Sequence, residues 1–403
     1  MKISLPERRV SKIRLACEEL MHKSVAQIRQ VARVIGILVA ATSAVVLGKL
    51  HYRVLERAKI YALHHSHENF DAMMPISEEM KQELLWWCKN AVQDRVIFRS
   101  AAELELFTNA SNSGWGGSLN QVSPGSSWSL EETSLHINAL ELKAILFTLQ
   151  AFWQEVKGKH IKNFCDNSTA VTYVNEMGGT KSLPCNDLSI LIWDWCVDNE
   201  VWITCSHIPG KANYEADEAS RIFNSWHECK LDVNVFSSLC STFGTPSIDL
   251  FASRLNKQIP IFCSWKPDPE AMYFDAFSLN WTNFTLPYLF PPFSLISRCL
   301  QKMGAEQVKG WIVVPLWRSQ PWMGRLLHML IDHPRLLRKS KNILRHPCSA
   351  ETHPILTHTR LMACLLSGTP SECETYRNKV RTSSWRLGSQ EVSDRRRLQR
   401  PRL

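Results

Sequence analysis

The feature that most constrains this chain is a change of hydrophobic period at Leu104. Before it, apolar residues recur three and four apart, as on one face of a helix; from Leu104 to Thr108 they alternate as in a strand. Ser113–Leu119 reads as a second, Gly-rich strand and Ser126–Leu130 as a third. Leu140–Val156 returns to helical spacing, with Leu142, Ile145, Leu149, Phe152 and Val156 on one face. His160–Cys165 is a predicted strand, Asp166–Met177 and Pro184–Asn199 are predicted helices, Val201–Ser206 is a strand and Asn213–Phe223 a last helix. The order β-β-β-α-β-α-α-β-α predicts an α/β sheet with helices packed on it.

The flanks differ in kind. Residues 1–100 read as helical throughout, with amphipathic spacing over Ile13–Ile28 and a helix starting at Ser77-Glu78-Glu79-Met80, whose apolar face carries Leu84, Leu85 and Trp87. Val31–Leu50 is apolar for about the length that spans a bilayer. Arg33, Gly36, Thr42, Ser43 and Gly48 interrupt it, however, and Lys49 and Arg53 follow. Two packed helices in a soluble helical domain, Ile13–Ile28 and this run, are therefore expected, with a membrane span as the alternative. The segment 225–338 is rich in aromatic residues and proline and has no clear period. The tail, 339–403, ends in Arg395-Arg396-Arg397 and is expected to have no fold of its own.

Charge follows the same division. The net charge is +9, but residues 1–60 carry twelve Lys and Arg against four Glu, and residues 335–403 carry fifteen against five acids. The centre is therefore acidic, which suits metal binding, while the ends can attract a nucleic-acid backbone. Thirteen cysteines include no Cys-x-x-Cys pair, so a zinc site is poorly supported and reduced thiols of a nuclear or cytoplasmic protein are expected. His64, His65 and His67 have no ligand partners at a recognisable spacing and are expected in an exposed loop.

Two-metal phosphodiester hydrolysis needs carboxylates that converge from strand ends and helix starts on a pair of Mg²⁺ ions. The candidates are Glu141 near the start of the long helix, Asp166 at the end of a strand and Asp217 in the last helix; the matching place on the first strand holds Asn109. Each has a plain structural reading. Glu141 stands three residues after Asn138 and could complete a capping box, Asp166 could be an N-cap, and Asp217 could be a surface helix residue. His207, ten residues before Asp217, could be a loop histidine.

The segments FTNASNSGWGG, HINALELKAI, FCDNSTAVTYVNEMGGT and HIPGKANYEADEASR give the set its meaning. In order and spacing they resemble the ribonuclease H domain of DIRS-type retroelements, whose recombinase is of the tyrosine class. The resemblance covers about Leu104 to Phe223. It implies a ribonuclease H-like mixed sheet with flanking helices, two Mg²⁺ ions held by Glu141, Asp166 and Asp217, and an RNA–DNA hybrid as substrate. It also makes His207 a mobile residue that assists product release, and it puts Asn109 where the family has an aspartate that bridges both metals. Loss of that charge should cost at least about 10–100-fold in metal affinity or activity, the cost of losing a mere supporting group. A nuclease by descent, impaired by Asn109, is expected; the alternative is a non-catalytic nucleic-acid-binding or assembly remnant of a retroelement polyprotein.

LPERRVSKI, IGILVAATSAVVLGKLHYRVLERAKIYAL and EEMKQELLWWCKN resemble the helical thumb or connection region of the same elements, so residues 1–100 are assigned to it and 101–224 to the ribonuclease H-like domain. The polymerase palm is missing, so no polymerisation is expected, and the polymerase part of the element becomes a candidate partner. PSIDLFASRLNKQIP, FDAFSLNW and LFPPFSLISRCLQKM resemble the region that follows in these elements, which has been likened to phage-type adenine-N6 DNA methyltransferases. That makes 225–338 a smaller α/β or irregular domain. Phe290 replaces the acceptor expected before Pro291-Pro292-Phe293 and no Gly-rich loop is present, so no methyl transfer is expected; Asp249 could be a cofactor-side carboxylate or a turn residue. Trp115 and Trp128 are candidate nucleic-acid contacts, with core packing, the commoner fate of a tryptophan, as the alternative.

Overall fold

A computed structural model describes residues 2–92, 95–96, 101–223, 228–338, 340, 343–348, 356 and 359–380. The chain divides into two compact units, Met1–Ile222 and Phe223–Leu403.

The first helices of the first unit are α1 (Glu7–Met21), which buries Val10, Ile13, Cys17 and Leu20, and α2 (Ile28–Val39), which buries Ile28, Val31, Val34, Ile35 and Leu38. Both sets follow the helical period. Two packed helices form here as expected, but the second ends well before Leu50. The helix stops at Val39, where the Thr42 hydroxyl donates to the Val39 carbonyl at 2.8 Å, and the chain then runs through turns with Leu47 at φ 62°. Gly48 lies so close to the Trp87 ring that a Cβ would come within 2.8 Å of it, so the turn needs a glycine there. Among the described residues no helix is long and apolar enough to cross a membrane.

Helix α3 (Arg53–His65) has no side-chain cap of its own. Glu83 of α4 (Glu78–Asn90) supplies one from outside: its buried carboxylate accepts the Val54 and Leu55 N–H groups at 3.1 and 3.0 Å. Ser77 caps α4 through the Met80 N–H, as its sequence predicts. Leu84 and Trp87 are buried, but Leu85 is exposed. The region is not helical throughout, because strands β1 (Val25–Gln27) and β2 (Met73–Pro75) pair antiparallel within it.

From Leu104 the chain builds a five-stranded sheet. Strands β3 (Leu104–Ala110), β4 (Gly114–Ser118) and β5 (Gly125–Ser127) form an antiparallel meander. Strands β6 (His160–Cys165) and β7 (Trp202–His207) add parallel to β3, giving the order β5-β4-β3-β6-β7. The glycines of β4 let helices approach both faces. A Cβ on Gly117 would lie 2.3 Å from the Thr148 side chain of α5 (Ile137–Ala151). A Cβ on Gly116 would lie 2.2 Å from the Ala216 carbonyl of α8 (Tyr214–Ala219). Helices α6 (Ser168–Asn175) and α7 (Leu183–Asp198) complete the cover, and Leu106, Leu142, Ile145, Leu149, Ile161 and Ile203 lie in the core. This is a mixed α/β, ribonuclease H-like fold.

The second unit is also α/β. Strands β8 (Cys263–Ser264) and β9 (Tyr273–Phe274) pair in parallel, and single parallel bridges from Asp249 to Phe262 and to Tyr288 connect them to a four-stranded sheet. That sheet has the order β10 (Tyr288–Leu289), β11 (Lys309–Pro315), β13 (Leu361–Ser367), β12 (Arg335–Leu336). Strand β11 runs parallel to β10 and antiparallel to β13. Helices α9 (Val233–Phe243), α10 (Ile296–Ala305) and α11 (Pro321–His328) accompany it.

The expectation of an unstructured tail from residue 339 fails here. Leu361–Ser367 is a fully buried interior strand, and a helix follows over 370–380. The run Leu-Met-Ala-Cys-Leu-Leu is a continuous apolar strand of the doubly covered type, hidden in the sequence by basic neighbours. Arg395-Arg396-Arg397 lies outside the described residues.

Candidate active site

Strand β3 carries Asn109, 2% exposed, over the sheet's end. Its Nδ2 donates to Asp217 Oδ1 at 2.8 Å and to Ser220 Oγ at 3.3 Å. Ser111, two residues on, donates to the Ser220 carbonyl at 2.6 Å, so the strand end and the end of α8 are tied together by hydrogen bonds.

Glu141 comes from the first turns of α5 and is 4% exposed. The capping-box reading of this residue does not hold. The N-cap is His136, whose ring nitrogen accepts the Asn138 N–H at 3.2 Å, and Asn138 lies inside the helix. Asp166 is likewise not a cap; Asn167 takes that role on α6, with its Oδ1 accepting from Ala170 N at 2.9 Å. Asp166 is exposed beside the end of β6. Both carboxylates are therefore free of the local duties that their sequence positions suggested.

One ligand atom each from Glu141, Cys165 and Asp166 lies within 4.8 Å of the others. The Cys165 thiol faces Glu141 Oε2 at 4.0 Å. Burial pushes the Glu141 carboxyl up to about 8, and the negative charges of Asp166 and Asp217 add to the rise, against a hydrogen bond from the Ala110 N–H. A carboxyl in that state holds a proton unless a cation replaces it. The donor set therefore fits a divalent cation at Glu141 and Asp166. Asp217 is differently engaged: Oδ1 takes the Asn109 amide and also Arg221 Nε and Nη2 at 2.9 and 2.7 Å. The half-exposed ion pair with Arg221 adds little stability but screens the carboxylate.

His207 ends β7, opposite Cys165 in register. Its Nε2 lies 3.1 Å from the Asp166 carbonyl oxygen, an acceptor only, so Nε2 carries the hydrogen. Gly210 borders the same spot, where a Cβ would come 3.1 Å from Asp166 Oδ2. The fold thus brings Asn109, Glu141, Asp166, Asp217 and His207 to one end of the sheet.

The sequence reading missed Cys165, Ser220 and Arg221. Only Arg221 left a signal, its spacing of four from Asp217 on one helix. Trp115 and Trp128 are 1% exposed and pack with Phe147, so they are core residues and not nucleic-acid contacts. His64 and His65 lie in the last turn of α3 and not in a loop. In the second unit Asp249 is buried, and its two oxygens accept the Phe251 and Gln258 N–H groups at 3.4 and 3.1 Å. It braces its own loop.

No family model and no curated protein matches the chain. Among solved structures it is similar to ribonuclease H1 from the halophilic archaeon Halobacterium salinarum NRC-1, at 16% identity over 29% of this chain and 92% of that one, with a TM-score of 0.25. LC11-RNase H1 in complex with an RNA/DNA hybrid is similar at 16% identity, over 29% of this chain and 93% of that one, with a TM-score of 0.24. The foamy viral protease-reverse transcriptase in complex with an RNA/DNA hybrid is similar at 11% identity, over 56% of this chain and 31% of that one, with a TM-score of 0.21.

Proposed function

We propose that residues 101–224 are a ribonuclease H-type nuclease domain of a DIRS-type retroelement polyprotein, acting on RNA–DNA hybrids and disabled at one position. The observation that carries this reading is the convergence of Glu141, Asp166 and Asp217 on one sheet end, with the Asn109 amide donating to Asp217. Mg²⁺ held there would activate water and neutralise charge on the scissile phosphate. Glu141 and Asp166 are the residues to hold it, and Glu141 must give up its proton first. Asn109 keeps the shape of an aspartate but presents N–H to Asp217 and would offer a cation only a neutral carbonyl oxygen. His207 donates from Nε2 at the rim and is placed to handle a proton near Asp166. The RNA strand would be recognised by backbone, groove shape and 2′-OH.

The other regions fit the same origin. Residues 1–100 serve as a thumb or connection, with the polymerase part of the element as partner, and a nuclear or cytoplasmic location is in keeping with thirteen scattered cysteines that include no Cys-x-x-Cys pair. Residues 225–338 are read as an inactive methyltransferase-like region. In support, the oxygens of Asp249 are committed to backbone N–H groups, and β10 runs directly into Phe290-Pro291-Pro292. A second reading, a non-catalytic binding or assembly remnant, is favoured by the hydrogen bond from the neutral Asn109 amide to Asp217, which gives that carboxylate a partner other than a cation.

Purified chain and its Asn109→Asp variant, assayed on an RNA–DNA hybrid with Mg²⁺ and Mn²⁺, decide between them. The variant is expected to cut at least about 10-fold faster. Strong cleavage by the natural chain would refute the disabling role of Asn109. Hybrid binding in chelator without cleavage by either protein would favour the binding remnant.

A further inference from the structure

Cys17 and Cys88 are in no disulfide. They meet where α1 packs on α4. Arg14 Nε donates to the Cys88 carbonyl at 3.0 Å, and Cys88 Sγ lies 4.0 Å from the Arg14 carbonyl, so the two helices run close at this turn. Cys17 stands one helical turn beyond Arg14, on the buried face with Ile13 and Leu20. The Cys88 thiol, held at the Arg14 carbonyl, therefore lies beside the turn of α1 that carries Cys17. Their exposures differ, since Cys17 is fully buried and Cys88 is partly open at the edge of the same core. Stepwise thiol–disulfide exchange needs this asymmetry: an accessible thiol to be attacked first, and a sheltered one at its side to resolve the product.

We propose that Cys17 and Cys88 are a redox-responsive pair that closes a disulfide between α1 and α4 on meeting an oxidised low-molecular-weight disulfide. The Cys88 thiolate attacks one sulfur of the small disulfide RSSR. The RS–SR bond breaks, one RSH leaves and Cys88–S–S–R remains. Cys17, losing its proton to solvent, then attacks the Cys88 sulfur and expels the second RSH. Two electrons pass from the cysteines to RSSR, which is reduced to two thiols. Burial holds both cysteine thiols above their ordinary range, so closure is slow at neutral pH and faster in mild alkali. The bond joins the two ends of a segment that contains α2 and α3, and a loop of that length restricts the unfolded chain strongly.

The test uses the full chain, incubated with oxidised glutathione or with a reductant, then digested without reduction and read by peptide mass spectrometry. The expected result is a Cys17–Cys88 cross-linked peptide, two hydrogens lighter than the free pair, as the main intramolecular disulfide. The thermal midpoint of the first unit should rise by roughly 5–10 °C. Cys17→Ser should leave Cys88 trapped as the glutathione adduct. Cys88→Ser should leave Cys17 unmodified, with circular dichroism confirming that both variants fold. A stable glutathione adduct on Cys88 of the natural chain, or a dominant bond elsewhere, overturns the proposal.

Discussion

Burial holds the Glu141 carboxyl at about 8, against 4.5 for an ordinary glutamate, and its protonated form is therefore favoured by folding. The stability it contributes is complete below about 4.5, where folded and unfolded chains are both protonated, and is lost as pH rises toward 8. Glu83, pushed up to about 7 by burial, acts with the same sign. In chelator the thermal midpoint of the first unit should fall between pH 5 and 8, and Mg²⁺ should restore part of it at the upper end. Glu141→Gln should flatten this slope, leaving the share due to Glu83; an unchanged slope would show that Glu141 is not the titrating group. At this scale the sequence was informative where residue type and spacing work together. Asn109, Glu141, Asp166 and Asp217 stand at strand ends and helix starts, so their convergence could be expected once the element order was known. Cys165 could not be, because a cysteine in a strand is by default a core residue. Trp115 and Trp128 show the reverse error: an aromatic residue near a site is more often beneath it than on its surface.

A helix can be capped by a residue far away in sequence, and α3 is. Glu83 reaches from α4 to the Val54 and Leu55 N–H groups, which no residue of α3's own N-terminus satisfies. Glu83→Ala should cost about 1–2 kcal/mol, the usual cost of a lost cap, because both N–H groups are left unpaired. Glu83→Gln keeps one acceptor and should cost less; urea unfolding monitored by circular dichroism measures both. A Glu83→Ala variant as stable as the natural chain would mean that water takes over the cap. Such caps cannot be read from sequence, whereas Ser77, capping from within its own segment, was legible. The element order of the sheet was legible too, because alternating and helical periods are local. The break after Val39 was not, since it depends on the fit of Gly48 against Trp87 from α4.

The chain holds two units, and the second is completed by residues that the charge pattern hid. Strand β13 lies between β11 and β12, with all seven residues buried. Ending the chain at residue 360 should abolish hydrogen-exchange protection over Lys309–Pro315 and leave the sheet of the first unit protected as before. Retained protection of β11 would show that the sheet closes without β13. In chain order β13 is also the last strand of its sheet. While the chain is being made, β11 must therefore wait with one side of its backbone unpaired and its own six core-facing residues, Gly310–Pro315, uncovered on that side. An unpaired, apolar strand edge is a template for another chain in the same condition. Translation that halts between residues 315 and 361 would release such an edge with nothing to cover it. Prematurely terminated products of this gene are then the ones to find in inclusion bodies.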